Sequence, residues 1–385
     1  MKQTAIVLAM LMLLTGCASG GTAPEPAADT APAESSLSAE ITAEPAAEPA
    51  PADSAPAVIE PEPLTDVVQG ENGAFTCTYA GISHACIADL PEQAEGAPLI
   101  LVLHGYSGTA ESFRSTQHFE NAANPRGYAV VYVTGAPDPN DPTSGNGWDS
   151  GLGQAGNPDT AFLKSLALYL QETYKFDPQR TFAVGFSNGA FMTHRLAMEA
   201  SDTFAAVVSV AGMMPKQIWE SRNSTNSVGV FQITGEKDDV VPKNSDGSAK
   251  TAQAPAIEDV MDYWAESNGL SGQASEEIGN GSELIKYTGS DSQKQVWHLR
   301  VKNGRHSWPS PDYTGIDTDT LILDYLDSLR AVPAAISLRC AEPAPAFPSG
   351  GGQRTSPNNR NARRVAASLA SLLPMLKRAA SITQT

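Results

Sequence analysis

Residues Gly185-Phe186-Ser187-Asn188-Gly189 place a hydroxyl between two glycines, where a strand-forming run gives way to a helical one. Glycine adds backbone entropy and no packing surface in either element, so a pair around one serine implies a sharply turning backbone. Thr181 to Gly185 reads as a short buried strand, and Ala190 to Ala200 as an amphipathic helix with Met192, Leu196 and Ala197 inward. Strand, G-x-S-x-G, helix is the setting in which the serine is an exposed nucleophile. The alternative is a turn serine that caps the following helix, but a cap does not call for glycine on both sides.

A serine attacks only if a base takes its proton, and on a strand-turn-helix scaffold the order is Ser, then Asp or Glu, then His. Three histidines follow Ser187. His194 lies two turns along the helix and cannot fold back, and His298 falls within the pattern of the last strand, packed in the sheet. His306, in the loop Lys302 to Asp312 after that strand, is the expected base. Asp238 and Asp239 follow an earlier strand directly, and one of them is expected to orient the imidazole. The oxyanion needs N–H donors. Backbone N–H groups of Asn188, at the mouth of the helix, and Tyr106, in the loop after the strand at 97–105, are the candidates. His104 either braces that loop or is a satisfied structural histidine, and the two roles are compatible. This chemistry needs no cofactor, and no C-x-x-C or H-x-x-x-H spacing implies a metal.

The elements that must position these groups alternate regularly. Buried strands are expected at 97–105, 127–135, 181–185, 204–212, 227–235 and 294–301, and helices at 160–174, 190–200, 254–269 and 317–330. Strands without apolar/polar alternation, separated by helices, imply an α/β domain with a mostly parallel sheet covered on both faces. Residues 70–330 suffice for one such domain.

The flanks differ in kind. Residues 5–14 form an apolar run behind Lys2, of signal-peptide rather than membrane-spanning length, ending in Leu14-Thr15-Gly16-Cys17. That ending resembles a bacterial lipobox, so an exported lipoprotein anchored through Cys17 is expected, with an ordinary secretory signal as the alternative. Residues 18–69 are expected to be an extended Pro/Ala/Glu-rich linker, since they carry no aromatic and no Lys or Arg. The formal charge of −18 conceals a basic tail. Residues 331–385 hold seven basic residues and one acidic one, which leaves about −24 on the remainder. An acidic body excludes nucleic acid as a partner, because phosphate binding requires clustered cations. The tail is read as a disordered extension, with a lipid-contacting helix as the rival. Cys77 and Cys86 flank a hairpin turning at Gly81, and a cross-strand disulfide is expected there, against two free buried thiols.

The motifs LVLHGYSG, NGWDS, NPDTAFL, VGFSNGAFMTHRLA, TGEKDDVVP and GRHSWP, in that order, resemble the polyhydroxybutyrate-depolymerase-like esterases. This is an α/β-hydrolase family that also contains secreted feruloyl and acetylxylan esterases. The resemblance spans about residues 75–330 and implies Ser187, Asp238 and His306 as the triad; Asp238 is preferred because the family's aspartate stands three residues before the Val-Pro pair, here Val241-Pro242. The sequence departs from the family at Thr234, commonly histidine, and in the reduced glycine lead into His306. The implied activity is hydrolysis of feruloyl or acetyl esters on plant polysaccharide through an acyl-enzyme. Trp148 and Trp308 would then be platforms for a flat ring, or else core packing. Polyhydroxyalkanoate depolymerisation, peptide hydrolysis and a non-catalytic surface binding lipoprotein are the rival readings.

Overall fold

Alternation along the inner strands creates two core layers. In Leu99–Leu103, residues Leu99, Leu101 and Leu103 enter one apolar cluster while Ile100 and Val102 enter another on the opposite face. Both sets are buried, so the strand reads as an unbroken apolar run although its side chains alternate. The computed structural model describes residues 61–152, 156–222, 227–241, 255–289 and 294–329. The expected leader with Cys17, the linker up to residue 60 and the basic tail lie outside the described residues.

The strands are β1 (Thr65–Gln69), β2 (Ala74–Tyr79), β3 (Ile82–Asp89), β4 (Leu99–Leu103), β5 (Ala129–Val133) and β6 (Thr181–Phe186), followed by β7 (Ala206–Val210), β8 (Gly229–Gly235), β9 (Leu270–Ile278), β10 (Ser282–Gly289) and β11 (Val296–Val301). They form one sheet in the order β1-β2-β3-β5-β4-β6-β7-β8-β11-β10-β9. From β5 to β11 neighbouring strands run parallel, and antiparallel strands extend the sheet at both ends. The helices are α1 (Ala110–Gln117), α2 (Glu120–Ala123), α3 (Asp159–Tyr174), α4 (Asn188–Glu199), α5 (Lys216–Glu220), α6 (Ile257–Ser267), α7 (Pro311–Thr314) and α8 (Thr318–Ser328). Apolar residues of α3, α4 and α6 fill one face of the sheet, and those of α1, α2 and α8 the other. This is the α/β-hydrolase architecture.

The chain leaves β4 for β5 on one side and returns to β6 on the other. At such a reversal the loops leaving the carboxyl ends diverge and open a crevice. The loop carrying Tyr106 and the turn carrying Ser187 therefore flank one cleft. The parallel neighbours β8 and β11 bring the loops of Asp238 and His306 to the same edge.

Two expectations need correction, and one pair of strands was not anticipated. The linker does not extend to residue 69, because Thr65–Gln69 pairs antiparallel with β2. This edge strand is mostly exposed and held by its backbone, so it shows little hydrophobic period. The hairpin of β9 and β10 was not expected; β9 is mostly exposed, with Leu270 its one buried residue. Finally, Cys77 and Cys86 are free, buried thiols rather than a disulfide. The hairpin does turn at Ala80-Gly81, but its register sets Cys77 opposite His84 and Cys86 opposite Phe75. The cysteines are diagonal neighbours, and burial pushes the Cys86 thiol well above its ordinary pKa.

Candidate active site

The two glycines around Ser187 answer to backbone crowding. A Cβ on Gly185 would strike the carbonyl of Gly189, and one on Gly189 would strike the carbonyls of Leu103 and His104. Neither obstacle is a side chain that can swing away, so only glycine lets α4 start this close to β4 and β6. Ser187 itself has φ 53° and ψ −116°, outside the regions where L-residues are comfortable. Its N–H donates to Val210 O at 3.0 Å, which ties the strained residue to β7. Strain of this kind costs about 1–3 kcal/mol and survives only where surrounding packing enforces it. Ser187 does occupy the N-cap position of α4, but its side chain makes no cap hydrogen bond. The turn-serine alternative therefore fails.

The hydroxyl is directed at His306 instead. Ser187 Oγ lies 2.9 Å from His306 Nε2, and His306 Nδ1 lies 2.9 Å from Asp238 Oδ2. An ionised carboxylate only accepts, so Nδ1 carries the proton and Nε2 is free to accept from the serine. The other Asp238 oxygen accepts from the N–H groups of Val240 and Val241 at 2.9 and 3.0 Å. Burial alone would raise the Asp238 pKa. The hydrogen bonds from His306, Val241 and Val240, with the charge of His306, outweigh burial and hold it below the ordinary carboxylate value. Asp239, by contrast, is exposed.

A second close approach, which the sequence reading missed, joins the acid and base loops. A Cβ on Gly235 would meet the backbone of Gly304 and Arg305, and one on Gly304 would meet Gly235 Cα. The Lys237 N–H donates to Gly304 O at 2.7 Å across this contact. Phe186 packs against His306 with ring centroids 5.2 Å apart, limiting how far the imidazole can swing.

The other histidines stay out of the reaction. His194 is fully buried and 2.9 Å from Gln232 Oε1, and His298 is buried 2.9 Å from Thr234 Oγ1. His298 therefore meets the threonine that departs from the family pattern. His104 is also buried, and burial lowers its pKa to about 4 despite a bond to Gly105 O. It is therefore neutral near pH 7. Its Nε2 accepts from Gly135 N–H at 3.0 Å, so Nδ1 carries the proton and donates to Gly105 O at 2.6 Å. His104 thus braces the loop of Tyr106.

The oxyanion candidates occupy suitable ground. Asn188 begins α4, so its N–H has no acceptor within the helix. Gly105 lies against the elbow, where a Cβ on it would be 3.3 Å from that of Ser187. Tyr106 follows, its ring about half exposed and its hydroxyl accepting from Gly145 N–H at 3.2 Å. Trp148 does not serve as a platform. It is fully buried, with its indole N–H bonded to His104 O at 2.9 Å, and offers no face to a ligand. Trp308 is part-buried; its N–H donates to Asp319 at 2.9 Å, and its ring meets Phe113 and Phe119 edge-on.

The chain is 30% identical over 243 residues to "Putative esterase NocK" of Nocardia uniformis subsp. tsuyamanensis, covering 57% of this chain and 67% of that one. Against feruloyl esterase B of Piromyces equi it is 24% identical over 221 residues, covering 55% of this chain but only 40% of that protein. A solved acetyl xylan esterase from Aspergillus awamori superposes with a TM-score of 0.45 at 14% identity, covering 64% of this chain and 94% of that one. Residues 85–308 match the esterase family described as "putative esterase", and the chain belongs to that family, a carboxylic ester hydrolase by class.

Proposed function

We propose that the protein cleaves carboxylic esters through an acyl-enzyme on Ser187. The observation that carries this is the continuous relay Ser187 Oγ, His306, Asp238, with both contacts at 2.9 Å. As Oγ attacks the ester carbonyl, its proton passes to His306 Nε2, and Asp238 stabilises the imidazolium without taking the proton. The Asn188 and Tyr106 N–H groups receive the oxyanion. His306 then returns the proton to the leaving alcohol. Water then attacks the acyl carbonyl as Nε2 takes its proton, and His306 returns that proton to Ser187 Oγ as the acyl–Oγ bond breaks and the acid leaves.

The proposed substrates are acetyl or feruloyl esters of plant cell-wall polysaccharide, supported by the names of the relatives and by aromatic rings near the relay. With Trp148 enclosed, the half-exposed ring of Tyr106 is the better surface for a flat substrate group. We also propose that the protein is exported and anchored to the cell envelope through lipid on Cys17, on the strength of the Leu14-Thr15-Gly16-Cys17 ending. Labelling with a clickable fatty acid, lost in Cys17→Ser, tests the anchor.

For the reaction, wild type and Ser187→Ala are compared on acetylated xylan, feruloylated arabinoxylan and a 3-hydroxybutyrate oligomer. Serine-dependent release of acetate or ferulate is expected. Preferential release of 3-hydroxybutyrate would assign the polymer substrate instead. Binding of xylan with no turnover of any ester would favour the non-catalytic reading.

A further inference from the structure

Trp148 is enclosed, yet its two N–H groups reach both sides of the cleft. Its indole N–H donates to His104 O at 2.9 Å, in the loop leading to Tyr106. Its backbone N–H donates to Asn188 Oδ1 at 2.7 Å, on the residue after the nucleophile. One residue therefore bonds to the segments that carry each candidate oxyanion donor.

We propose that Trp148 is the positioning residue of the oxyanion hole, holding the Tyr106 and Asn188 N–H groups at a fixed separation. The inference rests on the acyl-enzyme reading given above.

One end of the tie holds the peptide next to that of one donor, and the other end holds the side chain of the second donor residue. On one side, the His104 carbonyl is held by the indole, and the next carbonyl, Gly105 O, by His104 Nδ1 at 2.6 Å and Gly108 N–H at 3.0 Å. In a trans peptide C=O and N–H point in opposite directions. Fixing Gly105 O therefore fixes where the Tyr106 N–H points. On the other side, the Asn188 side chain is clamped by Trp148 N–H, with weaker contacts from its Nδ2 to Trp148 O and Ser150 Oγ, both 3.4 Å. The tie is itself anchored farther along α4. Arg195 donates to Asp149 O at 2.6 Å and pairs with the Asp149 carboxylate at 3.0 Å. Segment 148–149 thus lies along α4 with two attachments, while the indole reaches across to the β4 loop.

Because the groups held are backbone donors, no side chain can be lost from the hole itself; only its geometry can. A misplacement near 1 Å costs about a hundredfold in rate, and removing a donor outright about 10²–10³ in kcat. Trp148→Phe keeps a smaller aromatic ring and deletes the indole N–H, leaving His104 O without that donor. The assay is hydrolysis of 4-nitrophenyl acetate, with affinity for an aliphatic trifluoromethyl ketone, which forms a tetrahedral adduct on the serine. The expected result is kcat lower by about ten- to a hundredfold, KM within about threefold, and ketone affinity lower by the same factor as kcat/KM. A purely structural tryptophan would leave kcat per folded molecule and ketone affinity unchanged, and that outcome overturns the proposal.

If Trp148→Phe does not fold, Asn188→Ala and Asn188→Asp read the other end. Aspartate keeps an acceptor for Trp148 N–H and alanine does not, so kcat should fall in the alanine variant and largely recover in the aspartate one. Equal activity of the two overturns the proposal. Ser187→Ala assayed alongside separates the two levels. Turnover that persists without the serine sinks the acyl-enzyme reading and this inference together, whereas serine-dependent turnover indifferent to Trp148→Phe sinks the inference alone.

Discussion

Asp238 and Asp239 are adjacent in sequence, identical in chemistry and opposite in circumstance. One is enclosed with every carboxylate oxygen engaged, and the other points to solvent. Asp238→Asn should leave the loop folded but present His306 with an amide that no longer selects the Nδ1–H tautomer. The expected loss is about three to four orders of magnitude in kcat, the cost of removing the orienting carboxylate from a serine triad. Asp239→Asn should stay within about twofold of wild type, since a lone surface charge contributes little. Steady-state kinetics on one activated ester decides between them, and equal losses would mean the wrong aspartate is assigned. Both residues were legible in the sequence as candidates, and His306 by elimination among three histidines. The role of Trp148 was not legible, because an aromatic beside a motif is compatible with core, platform or tie. Only the direction of its N–H groups separates those.

At the level of elements, function depends on how closely backbones approach. Gly189 sets the gap between α4 and the end of β4, because a Cβ there would meet two backbone carbonyls. Gly189→Ala must push α4 outward or displace the His104 to Tyr106 loop, and either movement shifts one oxyanion donor relative to the other. The expected effect is a destabilisation of about 1–3 kcal/mol, as for other overpacked sites, with a fall in kcat exceeding that in any substrate-binding constant. Denaturant unfolding and kinetics on the same preparation test it; a variant with unchanged stability and rate would show that the crowding is relieved elsewhere. The inner strands were readable because both faces are buried, which turns β4 to β8 into continuous apolar runs. The same physics hid β1 and β9. They lie at the two ends of the sheet, bury little beyond Leu270 and are held by backbone hydrogen bonds that no residue type announces. The diagonal placement of Cys77 and Cys86 was hidden likewise, since register depends on where the turn closes.

Across the whole molecule, the site is supported by carboxyl groups that the reaction never uses. Asp159, at the start of α3, is buried and accepts the Asp149 N–H at 2.6 Å, directly beside Trp148. Burial raises its pKa to about 7 from 3.8; the bond from Asp149 N–H opposes this, the Asp149 charge adds to it, and the Arg195 charge opposes it. Asp319, which holds the Trp308 indole, is raised to about 6, first by burial; the bond from Trp308 opposes this, and the charges of Asp317 and Glu120 add to it. A carboxyl whose pKa is higher folded than unfolded binds more protons in the folded state between those two values. Its contribution to stability is therefore fully present below about pH 4 and is lost as pH rises, through pH 7 for Asp159 and pH 6 for Asp319. For Asp159 the loss is on the order of a few kcal/mol. Asn cannot ionise and keeps an acceptor for the Asp149 N–H, so Asp159→Asn should match wild type in thermal midpoint at pH 4 and exceed it by a margin that grows to pH 8. Asp319→Asn should show the same trend, complete about one unit lower. Thermal unfolding of the three proteins across that range tests this, and a variant-minus-wild-type difference that does not change with pH would refute it.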